Sequence, residues 1–142
     1  METSSASFLN YVEGIPLHAR MTAILILAER NIGKLIRKYL DREALHVVHA
    51  EELQEVESLA FETPPAIVVV DQSHLGEGVA GAMEALHVRF AAARFIVLCS
   101  MEQTEFCDSL AHRLAAIDIT RLLKPIKLSE LSRLLRDAES ES

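Results

Sequence analysis

The sequence contains no tryptophan, only two cysteines and no long uninterrupted apolar run. Cys99 and Cys107 are too few for a disulfide-stabilised scaffold, so we expect Cys99 to be a small buried hydrophobic residue in a reducing compartment. No apolar run approaches the roughly 18 residues of a membrane-spanning helix, and the N-terminus lacks the order of a signal peptide. These absences favour a cytoplasmic protein that does not interact with a membrane.

Basic charge is also scarce, because 14 lysines and arginines stand against 21 aspartates and glutamates, a net charge of −7. A chain without an excess of basic residues is poorly suited to bind phosphate backbones, so we expect no direct contact with nucleic acid. What the chain does have is apolar content. Half of its 142 residues are hydrophobic, which is enough for the core of one domain.

Residues 1–20 are irregular and partly polar, and predict an N-terminal extension that is partly disordered. The domain is predicted over 21–138, and 139–142 form a short tail. Within the domain, five apolar runs predict strands at 22–28, 44–50, 66–70, 94–99 and 118–123. A helical pattern follows each run, so the chain predicts an α/β fold with a doubly wound parallel sheet.

The first helix is predicted to begin after an N-cap at Asn31. Its spacing predicts that Leu35 faces the core, and the same argument applies to Phe106 in the helix after the fourth strand.

Polar side chains follow four of the five predicted strands. Glu29 follows the first, Asp71 the third, Ser100 the fourth and Lys124 the fifth. Taken alone, Asp71 fits a turn residue. Because ligands bind outside the carboxyl ends of parallel strands, we expect all four side chains to converge at one edge. Two carboxylates can share a hard divalent cation, and an aspartate can act as a nucleophile that forms an acyl phosphate.

Four segments carry a family resemblance, namely "ILILAERN", "AIVVVDQS", "IVLCS" and "RLLKP" in this order. Residues 21–138 resemble the receiver (CheY-like) domain of two-component response regulators. The resemblance implies a flavodoxin-like (βα)5 sheet with strand order 2-1-3-4-5. It also implies a signalling domain that is not an enzyme and that accepts a phosphoryl group from a histidine kinase or a phosphotransfer protein.

The resemblance assigns a role to each strand-end residue. Asp71 corresponds to the phospho-acceptor, Ser100 to the hydroxyl that senses the phosphoryl group, and Lys124 to the lysine that pairs with it. Mg²⁺ would bind Glu29, Asp71 and the backbone carbonyl of Ser73. The peptide bond between Lys124 and proline 125 is usually cis in the family, and residues 102–138 would form the face for a homodimer or another partner.

Three departures from the family pattern leave two alternatives open. Ala28 stands where the first acidic residue is expected, which should weaken Mg²⁺ binding, and Arg121 replaces the aromatic switch residue. The loop after Asp71 places Gly78 one position early. The chain is therefore either a working, atypical receiver or a pseudo-receiver, an interaction module with weak or no phosphorylation. In the second case Arg121 would pair with Asp71 or Glu29.

Other readings fit less well. A phosphatase of the haloacid dehalogenase type needs a second aspartate where this chain has Ser73, and no glycine-rich loop follows the first strand for a dinucleotide or FMN. His46 and His49 are three apart on a strand and point to opposite faces, so they are a poor metal pair. His74, in the loop beside Asp71, is either a plain loop residue or a group that tunes the site.

Overall fold

The computed structural model describes residues 23–40, 46–61 and 63–141, so the predicted extension at 1–20 lies outside the described residues. Five strands are present: β1 (Ala23–Leu27), β2 (His46–Ala50), β3 (Ile67–Asp71), β4 (Arg94–Cys99) and β5 (Ile119–Leu123). Each lies where the apolar runs predict a strand, although β3 extends one residue further and so includes the aspartate.

The five strands form one parallel sheet in the order β2-β1-β3-β4-β5. This is the predicted order 2-1-3-4-5, and strand order reverses between β1 and β3. Every residue of β1 and β3 is buried, because helices cover both faces and such strands need apolar side chains on both sides. The reversal point at the carboxyl edge is where a ligand is expected in this topology.

The helices are α1 (Arg30–Leu40), α2 (Leu53–Glu57), α3 (Gln72–Leu75), α4 (Val79–Arg89), α5 (Thr104–Arg113) and α6 (Leu128–Glu141). Short 3₁₀ turns at Gly76–Gly78 and Met101–Gln103 lead into α4 and α5. Helix α6 continues through residues that the sequence predicts as a tail, because the segment "DAESE" contains no glycine or proline to end it. None of the helices in the described segments is both long and apolar enough to span a membrane.

Alternate residues of the central strands enter two separate core layers. One layer packs strand residues such as Leu25, Val68 and Val97 against α4 and α5. The other packs Ile26 and Val69 and their neighbours against α1 and α6. A period of two along the strands distributes side chains to both layers, which is why the sequence shows continuous apolar runs and not alternation.

The sequence is wrong about two core residues. Leu35 is 54% exposed and Phe106 is 38% exposed. The buried face of α1 instead carries Gly33, Ile36 and Leu40, and α5 turns Cys107 inward. Both helices lie on the sheet with a narrower buried stripe than the spacing of their apolar residues suggests.

The predicted cap of α1 is also wrong. The helix begins at Arg30, and the Glu29 carboxylate accepts a hydrogen bond of 2.9 Å from the backbone N–H of Ile32. Glu29 therefore satisfies one of the free N–H groups of the first turn, the function predicted for Asn31.

Cys99 is fully buried, as predicted, but it is not an isolated hydrophobic residue. It forms a disulfide with Cys107, and the two Cα atoms lie 6.6 Å apart. The bond joins the last residue of β4 to the first turn of α5. A disulfide of this kind removes the cysteine count as an argument for a reducing compartment.

Candidate functional site

The four strand-end residues lie along one edge of the sheet because the strands are in register. Asp71, the last residue of β3, pairs in register with Leu98 of β4. The backbone N–H of Lys124 donates to the carbonyl of Cys99 at 2.8 Å. This bond continues the β4–β5 ladder beyond the end of β5, so Ser100 and Lys124 leave the sheet side by side.

Asp71 and Lys124 form the central contact of this edge. The ammonium of Lys124 lies 2.8 Å from Oδ1 of Asp71, and the backbone N–H of Ser73 donates to the same oxygen at 3.2 Å. The Asp71 side chain is 1% exposed and that of Lys124 is 23% exposed. The lysine thus offsets the cost of burying the carboxylate, and neither contact occupies Oδ2.

Asp71 is a turn residue as well as a member of this ion pair. Its backbone is extended, and its side chain caps the four-residue helix α3 through the bond from Ser73. That bond is a common one for aspartate before a helix. A turn does not require an ammonium group next to the aspartate, so the role of Asp71 as a turn residue does not explain the ion pair. The Lys124–Pro125 peptide bond is cis, as the resemblance implies.

Glu29 leaves β1 beside this pair, with its carboxylate committed in part to capping α1. The backbone N–H groups of Ile32 and Asn31 lower the pKa of Glu29, with smaller contributions from the nearby His74 and His49. The lowered pKa keeps the side chain ionised. Glu29 is therefore an oxygen ligand with one atom already accepting a hydrogen bond.

Ala28, at the position where the sequence predicts that an acidic residue is missing, contacts His49 through its backbone. Ala28 is fully buried, and its carbonyl oxygen lies 3.0 Å from Nε2 of His49. The imidazole also packs directly on Gly33, where a methyl group would overlap the ring. Neither the Ala28 methyl group nor the His49 ring supplies an oxygen ligand for a hard cation.

The residues that remain match a magnesium site only in part. Among the residues that the structure describes, no group of three or more histidine, cysteine, aspartate or glutamate side chains could hold a metal ion. The available oxygens are those of Asp71 and Glu29, each carboxylate with one oxygen in a hydrogen bond, together with the Ser73 carbonyl. Mg²⁺ commonly binds one or two carboxylates and keeps several waters, so this donor set fits a weakly held ion.

Ser100 has a loosely held hydroxyl. Its Oγ donates to Oε1 of Gln103 at 3.4 Å, well beyond the usual distance of about 2.7 Å for such a bond. The residue is extended, half-buried and does not cap the following 3₁₀ turn with its side chain. A hydroxyl held this weakly can turn to another acceptor at little cost.

Arg121 does not pair with Asp71 or Glu29, contrary to the expectation for a pseudo-receiver. Its guanidinium forms an ion pair with Asp108 of α5, and both side chains are about half exposed. Arg121 lies in the middle of β5, and its side chain reaches Asp108 and not the residues of the carboxyl edge. The pair ties β5 to α5 on the outer face of the domain.

The loop after Asp71 is organised by two residues. His74 contacts the backbone carbonyl of Glu51 through Nε2 at 2.7 Å, so the imidazole holds the loop against the end of β2. Gly76 has φ of +60°, a conformation that side chains disfavour, whereas Gly78 has an ordinary backbone. The glycine that the loop needs is therefore Gly76 and not Gly78.

Comparisons with known proteins bear on the fold. The sequence matches no family model and no curated protein. Its structure is similar to a response regulator from Thermotoga maritima, with a TM-score of 0.69 over 84% of this chain and 98% of the other at 18% identity. It is also similar to the chemotaxis protein CheY4 of Vibrio cholerae, with a TM-score of 0.70 over 83% and 98% at 15% identity. The chain has the receiver fold.

The receiver fold alone does not fix an activity. A structure described as an adenylate cyclase from Rhodopirellula baltica is also similar, with a TM-score of 0.70 over 84% of this chain and 87% of the other, at 12% identity. Proteins with different names therefore share this architecture, and the activity must be argued from the residues at the carboxyl edge.

Several residues of this region give little sequence signal. Asp108 pairs with β5 and Cys107 bonds to β4. Both residues lie on α5, and the sequence does not specify the rotation of this helix. The sequence indicates the disulfide only through the spacing of the two cysteines. They are eight residues apart, at a strand end and in the first turn of the next helix. Gln72 is buried beside Asp71 with an unpartnered Oε1, and the sequence gives no indication of this.

Proposed function

We propose that this domain is a response-regulator receiver in which Asp71 accepts a phosphoryl group from a phosphohistidine of a histidine kinase or phosphotransfer protein. The observation that carries the proposal is the ion pair between the buried Asp71 and Lys124 at the sheet edge where strand order reverses. A carboxylate that contacts an ammonium at 2.8 Å is a nucleophile with an opposite charge beside it before and during the reaction.

The chain's own residues supply three elements of the transfer. Oδ2 of Asp71 attacks the phosphorus, a P–O bond forms, the P–N bond to the histidine breaks, and the departing imidazole keeps the electron pair. Lys124 stabilises the negative charge of the phosphoryl oxygens from its position beside Oδ1. The Ser100 hydroxyl is released from Gln103 and donates to a phosphoryl oxygen.

We propose that Mg²⁺ assists this reaction and binds weakly, through Asp71, Glu29 and the backbone carbonyl of Ser73. When bound, the ion would supply positive charge toward the phosphoryl oxygens. Because Ala28 provides no carboxylate, a larger share of the charge compensation falls to Lys124 than in a site with two adjacent acidic residues.

The result of the reaction is a phosphorylated domain that signals, and not a small-molecule product. We propose that phosphorylation shifts an existing equilibrium between two arrangements of the domain, read by a partner or a second copy at the face formed by 102–138. Phe106 and Leu123 are exposed apolar residues on this part of the chain. A histidine kinase as donor places the domain in the cytoplasm.

Intact mass after incubation with acetyl phosphate and Mg²⁺ tests the proposal. The wild-type domain should gain one phosphoryl group, and Asp71→Asn should gain none. Asp118→Asn is the matched control, because Asp118 is an exposed aspartate paired with Arg94 at 3.1 Å and far from the edge chemistry. A wild-type domain that stays unmodified, or a gain that survives in Asp71→Asn, would refute the assignment.

The second candidate function is a pseudo-receiver that acts through protein contacts alone. Two features of the chain favour it: Ala28 offers no ligand oxygen from its side chain, and Arg121 stands where the family has an aromatic switch residue, although Arg121 pairs with Asp108 and not with Asp71 or Glu29. Calorimetric titration with MgCl₂ separates the two candidates. Saturation at millimolar Mg²⁺ that is lost in Glu29→Ala supports the working receiver, whereas no saturation supports the pseudo-receiver.

A further inference from the structure

The Cys99–Cys107 disulfide borders the phosphoryl site. Cys99 is the last residue of β4, its carbonyl accepts the backbone N–H of Lys124, and Ser100 follows it directly. Cys107 lies in α5, next to the Asp108 that pairs with Arg121. The bond therefore closes a loop that begins at the site and ends at the helix on the outer face.

Few other interactions hold the enclosed segment, which we call the 100–106 segment. Its side chains are all exposed or half-buried, including Met101, which is 69% exposed. Neither the 3₁₀ turn at Met101–Gln103 nor the start of α5 has a side-chain cap. A segment with little burial and uncapped helix ends has a low local stability, so we infer that the disulfide adds to the core packing of Cys107 and Leu110 in holding it.

We propose that this disulfide is a reversible redox tether that controls the mobility of the 100–106 segment and, through Ser100, the phosphorylation of Asp71. This rests on the proposed function, which places the domain where histidine kinases act. Disulfides in such reducing compartments are usually transient or redox-sensing. A purely structural disulfide would not fit that location.

The reaction is thiol–disulfide exchange with a dithiol reductant. One reductant thiolate attacks a protein sulfur, the S–S bond breaks, and the other cysteine leaves as a thiolate and is protonated. The second reductant thiol then resolves the mixed disulfide, so the protein gains two thiols while the reductant becomes a disulfide. Both sulfurs are buried, so attack requires the 100–106 segment to open first. The weak anchoring of that segment supplies the route.

The tether and the site are coupled through the position of Ser100. In the oxidised form the disulfide at Cys99 limits the movement of the backbone that carries Ser100, although the hydroxyl itself is only weakly bonded to Gln103 at 3.4 Å. Reduction frees the segment, and the hydroxyl can then follow the phosphoryl group. We expect the reduced domain to be phosphorylated by acetyl phosphate at least about fivefold faster, the lower end of typical coupling between sites.

The first test follows the tether without phosphorylation. Amide hydrogen exchange is measured on the oxidised and dithiothreitol-reduced domain, and thiol alkylation confirms the redox state by mass. Exchange in the 100–106 segment should rise on reduction while β3 stays protected. Amide exchange in Cys107→Ala should match that of the reduced form and should not change when dithiothreitol is added. Unchanged exchange in this segment, or a disulfide reduced only when β3 also loses protection, would overturn the proposal.

The second test measures phosphorylation of both redox forms, with Cys107→Ala as the matched control. A faster reaction of the reduced form that is absent in the variant supports the coupling, and equal rates refute it. If exchange responds but neither form is phosphorylated, the proposed function and the coupling to Asp71 fail, and only the effect of the disulfide on the mobility of the 100–106 segment is retained. The two failures are therefore distinguishable.

Discussion

Lys124→Met removes the ammonium that lies 2.8 Å from Oδ1 of Asp71 and keeps a side chain of similar length. At this distance and an effective dielectric constant of 20, the Coulomb attraction is about 6 kcal/mol. The free energy of unfolding changes by less than this Coulomb energy, because the native lysine is partly hydrated and because a carboxylate that has lost its partner can bind a proton. An ordinary aspartate costs about 4 kcal/mol to protonate at pH 7. We therefore expect a loss of about 3 kcal/mol, the size measured when one partner of a buried pair is removed.

A double-mutant cycle with Asp71→Asn isolates the pair. Asparagine can still accept the bond from the Ser73 N–H, and Lys124 can turn to water, so this variant should lose only about 1 kcal/mol. The double variant should resemble Asp71→Asn, which gives a coupling energy of about 3 kcal/mol. Urea denaturation at pH 7 supplies the three differences, provided that the slopes agree.

One result would refute this reasoning. Additive losses, within about 0.5 kcal/mol, would show that the two groups do not interact.

Two further predictions concern the neighbourhood of the site. Gly33→Ala should destabilise the domain by about 1–3 kcal/mol, because the added methyl overlaps the His49 ring and displaces it from the Ala28 carbonyl. Gly81→Ala, at an open position of α4, is the matched control and should stabilise by about 0.5–1 kcal/mol; equal effects in thermal unfolding would contradict the close approach. The pKa of Glu29 is lower in the folded domain, so its contribution is complete above the unfolded pKa and is lost as pH falls through the folded pKa. Glu29→Gln should therefore flatten the rise of the urea midpoint between about pH 3 and 6, and an unchanged slope would exclude the cap.

The sheet and the meeting of Asp71 with Lys124 follow from the sequence for a simple reason. Apolar runs specify buried strands, helices between them require parallel strands, and parallel strands place the residues after their ends along one edge. The ion pair could be predicted from this topology and from the two residues at the strand ends. The expectation of weak magnesium binding stays a prediction, since it depends on oxygens that are partly engaged in other bonds.

What the sequence misses depends on the rotation and placement of helices. The exposure of Leu35 and Phe106 depends on how α1 and α5 are rotated about their axes on the sheet. The Arg121–Asp108 pair and the Cys99–Cys107 disulfide depend on the same placement of α5. A periodic pattern indicates which face of a helix is apolar, but it does not specify the edges of the stripe or the contacts that form there.

The most direct measurement identifies the phosphorylated residue itself. The domain is incubated with acetyl phosphate and Mg²⁺, reduced with borohydride to convert an aspartyl phosphate to homoserine, and digested for peptide mass spectrometry. The account predicts homoserine at position 71 in the wild-type domain and at no position in Asp71→Asn. Homoserine at any other position, or unmodified Asp71 in a fully folded domain, would contradict it.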